Sequence, residues 1–261
     1  MKTISVLLGV LALSATMLAQ SAIPVGTVIP VELNSTVDVN KCKPGQAISA
    51  RVAQDVALDN GTRIKAGSRV VGEVVAATPA GNSQPATITL RFNKLDISGK
   101  VMPVVTDLRA LASPLDVDAA QTQISGDDRG STPPWSQTVT LVGGDVAYRE
   151  EGMVESAGET VGHSVYAGSW GVLSQVAANP EGNCRGTVAG NEKPQALWVF
   201  SHDACGVYGY EATIMHAGRE NPEGKIVIAS SSGDLKLRGG SALLLRVNAT
   251  SEASQSEVVS K

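Results

Sequence analysis

Aromatic residues are scarce in this chain, at 3% of 261 residues with only two Phe and three Trp, whereas Gly is abundant at 27. That balance suits short strands joined by tight turns better than a helix bundle. Basic charge is not in excess: the formal net charge is −4. The chain therefore lacks the electrostatic footprint of a nucleic-acid binder or of a protein drawn to anionic membranes. Beyond the N-terminus no apolar run approaches the roughly 20 residues that a spanning helix needs. Only three histidines are present, His163, His202 and His216. They are far apart in sequence and do not have the spacing of a zinc site. The Gly-x-Ser-x-Gly elbow of hydrolases is missing. No Walker Lys-Ser/Thr follows Gly239-Gly240-Ser241, so those are turn glycines and not a phosphate loop. No cofactor or metal is expected.

The chain opens with MKTISVLLGVLALSATMLAQSA. Lys2 supplies a positive start, Val6 to Leu13 a short apolar stretch, and Ala19-Gln20-Ser21 a small-x-small site. This is the layout of a secretory signal peptide over residues 1–21, cleaved after Ser21 or Ala22, with an uncleaved anchor as the alternative. No Cys sits at its end to carry a lipid. The expected mature chain is soluble and exported, to the periplasm or beyond. In an oxidising compartment cysteines pair by default. Cys184 and Cys205 are close in sequence and form the expected disulfide, which leaves Cys42 as the odd thiol.

Residues 22–112 read as an all-β domain, a barrel or a sandwich. In Thr87 to Asn93, Ile88, Leu90 and Phe92 alternate with polar residues, the period of a strand with one buried face. Leu95 and Ile97 continue out of phase, and a bulge near Asn93 and Lys94 restores it. Pro44-Gly45, Asp59-Asn60-Gly61 and Ser98-Gly99-Lys100 are turn signals. Pro30 cannot donate to a ladder, so the first strand is expected to lie at an edge or to break there. Residues 113–137 are rich in Ser, Asp, Gly, Pro and Gln and read as a polar loop or linker. Asp127 and Asp128 lack the offsets of a calcium loop. Residues 138–218 form a second, β-rich and Cys-containing insertion that holds most of the aromatics. Residues 250–261 are polar and read as a disordered tail.

Two stretches echo each other. Arg63 to Val74 reads RIKAGSRVVGEV and Lys236 to Val247 reads KLRGGSALLLRV. Gly67 matches Gly240, Ser68 matches Ser241, and GTVIPVEL at residues 26–33 is a looser third copy. The expectation is that residues 219–249 return to the sheet begun by the N-terminal strands.

These residues also carry a resemblance. Gly26 to Leu33, Pro44-Gly45-Gln46, Ala50 to Val56, Gly61 to Ser68, Gly72, and Leu90-Arg91-Phe92 through Gly99-Lys100 resemble the TrbI-like β-domain. That domain belongs to channel scaffold proteins of conjugation and type IV secretion machinery. The likeness covers roughly residues 24–105 and implies a fold more than a function. The family carries an inner-membrane helix, a Pro-rich arm and an apolar helical hairpin, and this chain shows none of them.

Three functions remain open. The first is an exported, non-enzymatic β-domain that binds or scaffolds envelope components, a protein or a glycan. The second is carbohydrate or peptide binding on Trp198, Tyr208 and Tyr210, whose alternative role is core packing. The third and weakest is a hydrolase using Ser201-His202-Asp203 and His216, because adjacent strand residues point to opposite faces. No catalytic residue is assigned.

Overall fold

The computed structural model describes residues 23–59, 61–124, 137–149, 152–164, 172–180, 190–216 and 224–249. The expected signal peptide, Asp127 and Asp128, Cys184 and the tail from residue 250 lie outside the described residues. What is described is mostly strand, with one helix, in keeping with the expected all-β class.

The first region supplies β1 (Val28–Leu33), β2 (Val37–Asp38), β3 (Ala47–Val52), β4 (Val56–Ala57), β5 (Arg63–Ile64), β6 (Arg69–Thr78), β7 (Ala86–Ile97), β8 (Lys100–Pro103) and β9 (Val105–Ala112). Helix α1 (Pro114–Ile124) follows. Next come β10 (Gln137–Leu141), β11 (Gly144–Tyr148), β12 (Met153–Ser156), β13 (Glu159–Ser164), β14 (Val172–Ser174) and β15 (Gln195–Trp198). The chain then adds β16 (Gly206–Tyr208), β17 (Thr213–His216), β18 (Ile226–Ser230), β19 (Lys236–Leu237) and β20 (Ala242–Ala249).

A ten-stranded sheet runs in the order β16-β9-β20-β1-β3-β6-β7-β18-β17, with β8 paired to β7. The Val104 amide donates to the Asn93 carbonyl and the Thr106 hydroxyl to the Phe92 carbonyl. These bonds return β9 to β7 and curl the sheet into a half-barrel. Its interior is filled by Ile29, Val31, Leu33, Ile88, Leu90, Phe92, Leu95, Leu243 and Leu245. In β7 the bulge falls where the sequence pattern asks for it. Val71 faces Lys94 and Gly72 faces Phe92, so Asn93 is the extra residue and Leu95 returns to the core.

Four turns organise the half-barrel. Each has Gly at its third position with φ between +80° and +91°, namely Gly26, Gly45, Gly67 and Gly240. In each, the fourth residue donates to the first: Thr27 to Pro24, Gln46 to Lys43, Ser68 to Lys65 and Ser241 to Arg238. The turns work in reciprocal pairs. Gly26 donates to Val247 at the far end of β20, and Gly240 donates to Leu33 at the far end of β1. Gly45 donates to Val74 of β6, and Gly67 donates to Val52 of β3. The echo between Gly67 and Gly240 is therefore structural, and the copy at Gly26 belongs to the same set. GTVIPVEL and GGSALLLRV lie side by side, with Pro30 opposite Leu244.

Pro30 corrects one expectation. β1 is an interior strand between β20 and β3, and Pro30 is buried. The Leu33 amide points to β20, so even-numbered residues of β1 face β3. Pairing with β3 begins only at Val31. The Pro30 carbonyl still accepts from Ala53, just past the end of β3. The missing donor thus falls at the last rung of that ladder, where proline is tolerated inside a sheet.

The span 113–137 also differs from a plain loop, because α1 occupies its first half. Ser113 accepts from the Asp116 amide and donates to the Asp116 carboxylate, and Pro114 takes the first helical position. Ser-x-x-Asp with Pro after the cap is a helix-start signature that outweighs a polar composition.

Strands β10 to β15 form a separate antiparallel meander in sequence order. A parallel bridge between Val142 and Phe200 joins its two ends. Strands β16 and β17, which fall within the span 138–218, pair in the first sheet instead. The meander core of Val139, Leu141, Val146, Val154, Val172, Leu197 and Phe200 is completed by Val28, Ala110, Ala112, Ala242 and Leu244. β9 and β20 are therefore buried on both faces, one toward each core. This explains why ALLLRV reads as a continuous apolar run.

Candidate functional site: a cleft in the meander

The meander is docked through side-chain amides and one guanidinium. Gln54, 7% exposed, accepts from the Trp198 amide and donates to the Val172 carbonyl. Asn191 donates to the Gly26 carbonyl, and Gln195 accepts from the Val28 amide. Arg109, 2% exposed, donates to the carbonyls of Ala204 at 3.0 Å, Ala177 at 2.8 Å and His202 at 3.4 Å. Burial, followed by the charge of Arg246, pulls its guanidinium down to about 10, against the opposing pull of Asp203, Tyr208 and Asp107. It remains a cation at neutral pH.

Beside this contact lies an open cleft of about 570 Å3. Glu159 and Thr160 come from β13, Gln175 and Ala177 from the segment after β14, and Asn191, Glu192 and His202 from the other side. Among the described residues the lining holds two carboxylates, Glu159 and Glu192, and no Lys or Arg. Gln175 donates to the Glu192 carbonyl, which ties the two sides together. His202 Nε2 lies 3.3 Å from an Asp203 carboxylate oxygen. Its Nδ1 is buried and has no partner among the described residues.

The Ser201-His202-Asp203 run therefore yields an imidazole–carboxylate pair to which the Ser201 hydroxyl is not hydrogen-bonded. Ser201 is 2% exposed, and its hydroxyl has no partner among the described residues. Its side chain packs against the Gly143-Gly144 turn. His163 is exposed on β13, and the His216 backbone pairs with Val227 in the other sheet. No group of three His, Cys, Asp or Glu that could hold a metal occurs among the described residues.

Of the three aromatics proposed from sequence, two pack on the meander core and one on the half-barrel core. Trp198, half-buried, sits at the end of β15 with φ +54° and packs on the meander core. Tyr208 packs on the same core, and its hydroxyl accepts from the Cys205 amide and donates to the Cys205 carbonyl. Tyr210 packs on the half-barrel core, accepts from the Arg238 amide and meets the Ser241 hydroxyl. None of the three lines the cleft. Cys205 is fully buried, and its expected partner Cys184 lies outside the described residues. Cys42 is a free thiol beside Asp38, Lys41 and Lys236 in a smaller cleft of about 270 Å3. Burial raises its pKa.

Two residues of this region escape a sequence reading, Gln54 and Arg109. Arg109 carries the one available signal, a single cation inside the otherwise apolar run Leu108 to Ala112. Among the described residues no helix is long and apolar enough to cross a membrane. Compared with models of known families and with curated proteins, the chain matches none. The likeness to the TrbI-like domain rests on the residues quoted for it.

Proposed function

We propose that the protein is an exported, non-enzymatic β-domain that binds or scaffolds components of the bacterial cell envelope, with the meander cleft as its contact surface. One observation carries this reading: the cleft gathers carboxylate and amide side chains from three segments, and its imidazole pairs with Asp203 while the neighbouring Ser201 hydroxyl is buried and not hydrogen-bonded to it. A binding surface needs acceptors and donors on a fixed frame, whereas acyl transfer needs a nucleophile within reach of its base. The lining favours a partner that brings positive charge or hydrogen-bond donors.

The test places a photo-reactive residue at Glu192 in the protein expressed with its natural export segment. A discrete cross-link to one envelope protein or glycan, lost when Glu159→Arg is added, supports the proposal. Equal cross-linking from Lys94, exposed on β7 and outside the cleft lining, overturns the cleft as the contact surface. Ester or peptide hydrolysis that His202→Ala abolishes overturns the non-enzymatic assignment.

A further inference from the structure

Arg109 occupies an unusual place in its strand. Opposite β20, Leu244 faces Ala110 and Leu245 faces Leu108, so Arg109 is the extra residue of a β-bulge. The bulge breaks the alternation of β9. Leu108 and Leu111 point into the half-barrel core, while Ala110 and Ala112 point to the meander. Arg109 joins the meander side, re-aimed as bulges do. Its guanidinium then collects three carbonyls from two segments that are distant in sequence, Ala177 from one and His202 and Ala204 from the other.

The surroundings make this contact more than packing. The half-barrel face turned to the meander is built largely of small residues, Ala110, Ala112 and Ala242, with Val28 and Leu244. The meander's apolar side chains share one cluster with these few half-barrel residues, and a bridge between Val142 and Phe200 closes the meander on itself. Ala177 and His202 are also walls of the cleft, and the Ala177 amide donates to the His202 carbonyl. A buried cation is a particular kind of tie. In place it needs every acceptor it has; once exposed it regains hydration, so opening costs less than tearing an apolar contact of equal area.

We infer that Arg109 is a latch: it holds the two walls of the cleft from behind, and its release lets the meander loosen from the half-barrel while the half-barrel stays folded. The inference concerns how the walls are held and stands independently of what the cleft binds.

Hydrogen exchange read by mass spectrometry on the full chain tests it. In Arg109→Met, peptides covering residues 172–178 and 199–205 are expected to exchange at least tenfold faster, while those of β3 and β6 stay within twofold of wild type. Arg109→Lys falls between, because one ammonium cannot reach all three carbonyls in a fork. His202→Ala behaves as wild type in these peptides, because its carbonyl remains. Uniform acceleration across the chain, or no acceleration in Arg109→Met, overturns the latch. If Arg109→Met does not fold, wild-type exchange in low urea decides. Opening of residues 172–178 and 199–205 ahead of β1 and β20 supports the latch, and a single opening free energy for all protected amides overturns it.

Discussion

The Gly240 amide donates to the Leu33 carbonyl at 2.8 Å, where the turn that starts β20 meets the end of β1. Gly240 holds φ +87°, and the equivalent Gly67 holds φ +85° with open space where a Cβ would project. Gly67→Ala thus tests backbone strain alone and is expected to cost about 1–2 kcal/mol by urea denaturation. Gly72→Ala is a different case. A Cβ there would lie 2.1 Å from the Arg91 carbonyl oxygen, against backbone that cannot yield. That variant is expected to lose the folded half-barrel, seen as loss of cooperative unfolding.

Gln54→Ala leaves the Trp198 amide and the Val172 carbonyl without their half-barrel partner. A buried donor stripped of its acceptor costs about 1–3 kcal/mol. The loss should appear in thermal unfolding. Gln54→Glu, which keeps an acceptor for Trp198 but not the donor for Val172, should recover part of it.

Ser113→Ala removes both bonds of the α1 cap and is expected to cost about 1 kcal/mol. Ser113→Asp retains an acceptor for the Asp116 amide but sets two carboxylates against each other. It should therefore recover less stability near neutral pH than when Asp116→Asn is added.

Tyr148 sets an alkaline response. Burial pushes its phenol up to about 12, and its hydroxyl has no partner among the described residues. The folded state keeps this proton between pH 10 and 12 where the unfolded state releases it, so stability falls as pH rises through that window. Arg109, pulled down to about 10, acts with the opposite sign, because the unfolded chain then holds the extra proton. Tyr148→Phe removes only the first effect. It should leave stability near pH 7 unchanged or raised, and the variant should resist denaturation above pH 10 better than wild type.

The cysteines give a prediction independent of packing. Mass mapping of the oxidised protein is expected to find Cys184 joined to Cys205. Cys42, partly buried with a raised pKa, should alkylate slowly in the native protein and fully after unfolding.

How much of this was legible in the sequence depends on the kind of signal. Alternation placed β7 and a bulge near Asn93 and Lys94, because one buried face imposes period two and a phase slip needs an extra residue. The matched glycines at 67 and 240 were readable because a left-handed turn position selects glycine. Pro30 misled, since a strand can be interior while its ladder to one neighbour ends at that residue. The helix at Pro114 was hidden by its polar composition, although its cap was spelled out in Ser113 to Asp116. The site was least legible. Arg109 acts through a bulge that only strand pairing reveals, and the cleft is lined by strand ends and connections of the meander that carry no motif. The Ser201-His202-Asp203 run shows the converse, a chemical-looking triplet whose serine and histidine make no hydrogen bond to each other.

The reciprocal turns carry a consequence for how the half-barrel finds its alignment. Each pair of strands is fastened twice, once by the glycine before each strand, Gly26 on Val247 and Gly240 on Leu33 in one pair, Gly45 on Val74 and Gly67 on Val52 in the other. Sliding either strand by one residue would unfasten both ends together, so no half-correct alignment keeps one clasp closed. The glycines thus serve as mutual rulers: each strand's starting point is measured against a fixed residue of its neighbour.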